Sequence, residues 1–146
     1  MQTWRLALAI RISEERNLNK YCCIQQGYSY LTPLCVGYSY AQDIRVQCDL
    51  IDYCKSNNFP IVAYSPLLGG AYCREYKSFP PEYRHPDSDV QLKALSEVSL
   101  KVGATINQLI LAWMLNSEPV VIPILGGSKV QQLSENLGGI VSKSFR

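Results

Sequence analysis

Two stretches carry the residues with the clearest chemical possibilities: 61–70, IVAYSPLLGG, and 120–136, VVIPILGGSKVQQLSEN. Each opens with β-branched residues, the pattern of a buried parallel strand. Each then breaks into small and polar residues at the strand end, where α/β folds place their ligands. In the second, Gly126, Gly127 and Ser128 lead into a helix bearing Gln132, Glu135 and Asn136. Free N–H groups at such a helix start suit phosphate oxygens. Two strand ends of this kind predict a bound nucleotide.

The elements that must position these residues follow from apolar periodicity. Residues 3–16 read as a helix with Trp4, Leu6, Leu8, Ala9 and Ile12 at helical spacing and Thr3 as N-cap. Residues 21–30 read as a strand ending at Gly27, and 42–55 as a helix with Ile44, Cys48, Ile51 and Tyr53 or Cys54 inward, stopped by Asn57–Asn58. The strand at 61–65 is followed by a Gly/Pro/Tyr-rich loop over 69–88, long enough to suggest a wall or lid. Helices are expected at 89–101 and 105–116. The second has Thr105 as N-cap and Ile106, Leu109, Ile110, Trp113 and Met114 on one side. Residues 120–124 form the third strand, and a last helix runs from near Lys129 until Gly138–Gly139 ends it.

The order α-β-α-β-α-α-β-α predicts an α/β fold with three parallel, neighbouring strands. Three such strands leave two open edges, which an eight-stranded barrel would close. The predicted fold is therefore an arc of a (β/α)8 TIM barrel, its last three strands with their helices, in one structural unit.

Composition narrows the function classes. The chain has 146 residues, 47% hydrophobic and 18% charged, which is globular rather than disordered. A net charge of +2 without a Lys/Arg cluster predicts no nucleic-acid partner and no membrane partner. The ten tyrosines are scattered and form no base-stacking stripe. Six cysteines make no CxxC pair and there is one histidine, so no zinc site is expected. Cys22 and Cys23 are expected on opposite faces of a strand as buried fillers, in a reducing, cytoplasmic setting. The apolar stretch after Trp4 is cut by Arg11 and lacks a cleavage site, so no secretory signal is expected.

Four stretches in order, Q-x-x-Y-S at 25–29, A-Y-S-P-L at 63–67, T-x-x-Q-L-x-L-A-W at 105–113 and P-I-L-G-G-S-x-x-x-Q-L-x-E-N at 123–136, resemble the aldo/keto reductases. The resemblance runs from about Thr3 to Gly139 and implies NADP(H) as cofactor and a small carbonyl or alcohol as substrate. It implies that Gln25 holds the nicotinamide carboxamide, whose donor and acceptor an amide side chain can match. Tyr64 matches the ring on which the nicotinamide lies. Ser65, with Pro66 and Leu67, approaches the pyrophosphate, and Gly69 and Gly70 let the backbone come close. Gly126 and Ser128 match the loop near the adenosine 2′-phosphate, and Gln132, Glu135 and Asn136 the adenosine-contacting helix positions. Ser128 stands where many relatives place an arginine, which weakens the NADP preference.

Relatives often carry a glycine–lysine pair after the second of these strands. This chain has Arg74–Glu75, with Arg74 able to supply the charge. The family's tyrosine acid and its lysine, aspartate and histidine partners match nothing here, and the only histidine, His85, is a loop residue beside Pro86. No catalytic residue is therefore assigned. The chain is expected to be the C-terminal, cofactor-binding part of such a reductase, inactive by itself. The alternative is a non-catalytic nucleotide-sensing regulatory protein on the same scaffold, since potassium-channel β subunits share G-x-S-x-x-x-Q-x-x-E-N.

Overall fold

The computed structural model describes residues 2–34, 44–74 and 78–141. Three strands, β1 (Ile24–Gly27), β2 (Ile61–Tyr64) and β3 (Val121–Pro123), form one sheet in the order β1-β2-β3. Both pairs are parallel, with Ile24 beside Ile61 and Ile61 beside Val121. The helices are α1 (Thr3–Glu15), α2 (Ile44–Ser56), α3 (Pro86–Val102), α4 (Ile106–Leu115) and α5 (Val130–Val141). The predicted element order and the parallel, two-edged sheet are observed.

The strand period of two divides the sheet's faces. Ile24, Gln26, Ile61, Ala63 and Val121 are buried on one face, in the core with Leu50, Leu95, Leu109, Ile110 and Met114. Gln25, Tyr64 and Ile122 share the other face and are exposed. Helix α4 lies at the centre of the core, in contact with α3, α5 and β3.

Local chemistry sets the helix boundaries. Thr105 is the N-cap of α4 as expected. Its Oγ1 accepts from the Gln108 N–H at 3.3 Å, while Gln108 Oε1 accepts from the Thr105 N–H at 3.0 Å. Gln108 Nε2 also donates to the Glu135 carbonyl at 2.9 Å, tying α4 to α5. Thr105→Ala should therefore lower stability by about 1 kcal/mol, read as a fall in the urea midpoint at unchanged slope. Asn58 (φ 50°) and Gly103 (φ 68°) adopt the left-handed conformation after α2 and α3, which ends those helices.

Several expectations are corrected. Gln2, not Thr3, is the N-cap of α1, and Leu6 and Ser13 are its buried residues, while Trp4, Leu8 and Ile12 are exposed. Helix α3 starts earlier than expected because Pro86, with its preset φ and no N–H to lose, serves as its first residue. Gly138–Gly139 does not stop α5. A Cβ on Gly138 would stand 2.6 Å from Gln108 Nε2, so this glycine makes room for the side chain that joins the two helices.

Trp113 is half-exposed, stacked on Tyr28 with centroids 5.7 Å apart. Tyr72 is buried with its ring edge against Phe79, and its hydroxyl accepts from the Leu31 N–H. The described parts of this segment, 69–74 and 78–88, are thus held against the core through Tyr72, Phe79 and Tyr83. Burial pushes the Tyr72 hydroxyl far above its usual range, partly offset by that N–H.

The cysteines also differ from expectation. The strand begins only at Ile24, so Cys22 and Cys23 lie outside it, where strand alternation does not apply, and Cys22 and Cys73 are exposed. Cys54 is fully buried, its thiol pushed up to about 11 by that burial. Gln42 and Cys35, and the side chains of Ile44 and Cys48, lie outside the described residues. No single helix among the described residues is long and apolar enough to cross a membrane.

Candidate functional site

The turn after β2 is built from residues in uncommon conformations. Ser65 (φ 54°), Leu68 (φ 47°), Gly69 (φ 65°) and Gly70 (φ 91°) all have positive φ. The Ser65 carbonyl accepts from the Leu68 N–H at 3.0 Å, and the Leu67 carbonyl from the Gly70 N–H at 2.7 Å. Such conformations in non-glycine residues cost energy and concentrate at functional turns. The Arg74 side chain crosses over Gly70, its Nε 3.3 Å from where a Cβ would sit.

Opposite this turn, the chain leaves β3 through Ile124 and Leu125 and enters α5. Gln132 Oε1 accepts from the backbone N–H of Ser128 at 3.0 Å and of Lys129 at 3.3 Å, fixing the loop to the helix start. Asn136, one turn further along α5, is buried.

These parts enclose a cleft of about 450 Å³ at the C-terminal end of the sheet. Of the residues singled out in the sequence, Ser65, Pro66, Leu67, Gly69, Gly126, Gln132, Glu135 and Asn136 line it together. Ser128 lies outside the lining, bonded to Gln132. Gln25 and Tyr64 also lie outside it, on the sheet's exposed face. The Tyr64 ring leans across to β1, with its Cζ and hydroxyl each 3.1 Å from the Cβ position of Gly27.

Arg74, the charge carrier offered by the sequence, lines the cleft, and so do two polar residues that sequence reasoning did not single out, Cys73 and Asn107. Asn107 sits in the first turn of α4 on the cleft wall, and its Oδ1 is buried with no hydrogen-bond partner among the described residues. Its place two residues after the Thr105 cap was the only signal available. Although the residue as a whole is exposed, partial desolvation on the cleft wall pushes the Cys73 thiol up; the Asn107 backbone N–H offsets part of this and the Glu135 carboxylate adds to it.

His85 is a loop residue, as expected, and it is held in place. It is the N-cap position of α3, with Nε2 2.8 Å from the Thr32 carbonyl and 3.0 Å from Ser88 Oγ. A carbonyl can only accept, so Nε2 carries the proton and the ring pins two segments together.

A fold of parallel strands with a ligand-sized cleft at their C-terminal ends belongs to the class of α/β barrels and open α/β sheets that place their sites there. The sequence makes the class specific. The model for the aldo/keto reductase family matches residues 8–143, and the chain belongs to that family.

It is 29% identical over 116 residues to an NADP(+) aldo-keto reductase, yakc, of Schizosaccharomyces pombe, covering 68% of this chain and 33% of that protein. It is 28% identical over 120 residues to a putative voltage-gated potassium channel subunit beta of the same organism, covering 70% of this chain and 35% of that one. In structure it resembles the thermostable aldo-keto reductase Tm1743, solved with the inhibitor epalrestat, at a TM-score of 0.56 and 28% identity. That match covers 89% of this chain and 39% of the solved one. The chain spans about a third of the length of the curated relatives it matches.

Proposed function

We propose that the chain is the cofactor-binding part of an NADP-dependent aldo/keto reductase, whose intact form reduces an aldehyde or ketone, or oxidises the alcohol. The observation that carries this reading is the cleft, which gathers the turn after β2, the loop after β3 and the polar face of α5. The residues present suit a dinucleotide. The glycine-rich turn admits a pyrophosphate, Arg74 offers a cation beside it, and the Asn107 Oδ1, which has no partner among the described residues, can accept from a ligand N–H or O–H.

In this reading Ser65, Pro66, Leu67 and Gly69 hold the pyrophosphate, and Gly126 and Ser128 the region of the 2′-phosphate. Gln132, Glu135 and Asn136 hold the adenosine. Gln25 orients the carboxamide and Tyr64 gives the nicotinamide a flat support. When bound, NADPH supplies the hydride. The chain holds no group matched to the family's proton donor, so this chain alone carries no reductase activity.

The test is a thermal scan of the purified chain with and without NADPH, alongside an assay with 4-nitrobenzaldehyde. A ligand at a hundred times its Kd adds about 2.7 kcal/mol to the folded state, so a rise of several degrees is expected, with no turnover. An unmoved midpoint would overturn the cofactor assignment, and turnover would overturn the inactivity. A second reading, nucleotide sensing without catalysis, is favoured by the similarity to the fission-yeast channel subunit. Carbonyl reduction by the full-length protein would exclude it.

A further inference from the structure

Outside the cleft, two nucleophilic side chains stand together. Cys22 Sγ and Cys23 Sγ are 4.0 Å apart, just ahead of β1, with Cys22 exposed and Cys23 half-buried. Among the described residues no group of three or more His, Cys, Asp or Glu is placed to hold a metal ion, so a four-coordinate zinc site is not served here. Nor is direct bridging well served. Consecutive Cα atoms are about 3.8 Å apart, below the roughly 4.4–6.8 Å that cysteines usually span when bonded to each other.

The separation matches something else. Two sulfurs, each about 2.3 Å from one shared atom, are ~3.8 Å apart at a tetrahedral angle and ~4.6 Å apart in a line. The observed spacing falls between these values, so a single soft atom can bridge the pair after small side-chain rotations. The pair is also reachable from solvent on its Cys22 side. Soft thiolates select soft centres.

We propose that Cys22 and Cys23 form a two-thiol capture site for a thiophilic centre with two open valences, either Cu(I) or a monosubstituted trivalent arsenical. With an arsenical of the type R–As=O, two S–H bonds and the As=O bond break, while two As–S bonds and one water form. Arsenic and sulfur keep their oxidation states. With Cu(I), two S–Cu bonds replace two S–H bonds and two protons are released. Cys22 makes the first bond because it is the exposed thiol, and Cys23 closes the ring. Burial and the neighbouring Cys22 push the Cys23 thiol up, consistent with it serving second.

The test uses the reduced full chain and two probes. Phenylarsine oxide is added, monothiol-labile adducts are removed with excess 2-mercaptoethanol, and intact mass and peptide mass spectra are recorded. One retained phenylarsenic group per chain, on the peptide holding Cys22 and Cys23, is expected. Cys22→Ser and Cys23→Ser should each lose it while keeping the far-UV circular dichroism of the parent. Transfer of one Cu(I) per chain from bicinchoninate, dependent on both thiols, would make copper a ligand. Retention of the arsenical alone would support the site with the metalloid as its ligand. Retention of neither, persistence of the adduct in either serine variant, or its location on another cysteine would overturn the proposal. The peptide location decides the matter even where a serine variant does not fold.

Discussion

Ile110→Ala is expected to cost about 2–5 kcal/mol, enough to remove or nearly remove the cooperative unfolding transition of this chain. Ile110 has no exposed surface, and it lies on the helix that touches α3, α5 and β3 together. Truncation leaves a cavity in the core cluster where these elements meet. A three-stranded sheet has little core in reserve against such a loss. Urea unfolding followed by circular dichroism reads the effect directly. A loss under 1 kcal/mol would mean that α4 is not the central support of the fold. Trp113→Ala on the same helix is a useful control, because that side chain is already 41% exposed.

Gly70→Val should weaken NADPH binding at least tenfold, about 1.4 kcal/mol, while leaving most of the secondary structure in place. At φ 91° any L side chain is strained, by about 1–3 kcal/mol, and a β-branched one most of all. The new Cβ would also stand 3.3 Å from Arg74 Nε, pushing the guanidinium off the turn. Both effects act on the wall proposed to hold the pyrophosphate, and neither reaches the buried residues of α4. Isothermal titration at a temperature where the variant is folded separates lost binding from lost fold. Unchanged affinity would remove the turn after β2 from the binding surface.

The fold and the cleft were legible in the sequence to different degrees, for physical reasons. The strands at Ile61–Tyr64 and Val121–Pro123 announced themselves through β-branched runs, whereas Ile24–Gly27 has a single β-branched residue, Ile24, and a glycine that marks its end. Ser65 to Gly69 and Gly126 to Asn136 could be read as parts of one site because each set follows directly from a strand end. Cys73 and Asn107 could not, since only the packing of the Gly70–Arg74 turn and of α4 against α5 brings them to the same wall.

The end of α5 was misread for a related reason. A glycine pair is usually a stop, but here Gly138 answers to Gln108, thirty residues earlier. The buried stripe of α1 was misread because Trp4, Leu8 and Ile12 make an apolar pattern as regular as the one that includes Leu6. Periodicity shows that a helix has a face, while its neighbours decide which face is used.

The order of the sheet has a consequence in symmetry. Among the described residues β1 and β3 form its two rims, and all three strands run the same way. A strand added in parallel at either rim extends the ladder, whichever chain supplies it. If a second copy supplies it, the rim of β1 meets the rim of β3, a head-to-tail contact between unlike surfaces. Each added strand turns by about 20–25° from its neighbour. Copies stacked this way return to their starting point only if those turns sum to a full circle, and otherwise wind on as an open filament. Two copies meeting rim β1 to rim β1 would instead pair antiparallel across a two-fold axis and stop at a dimer.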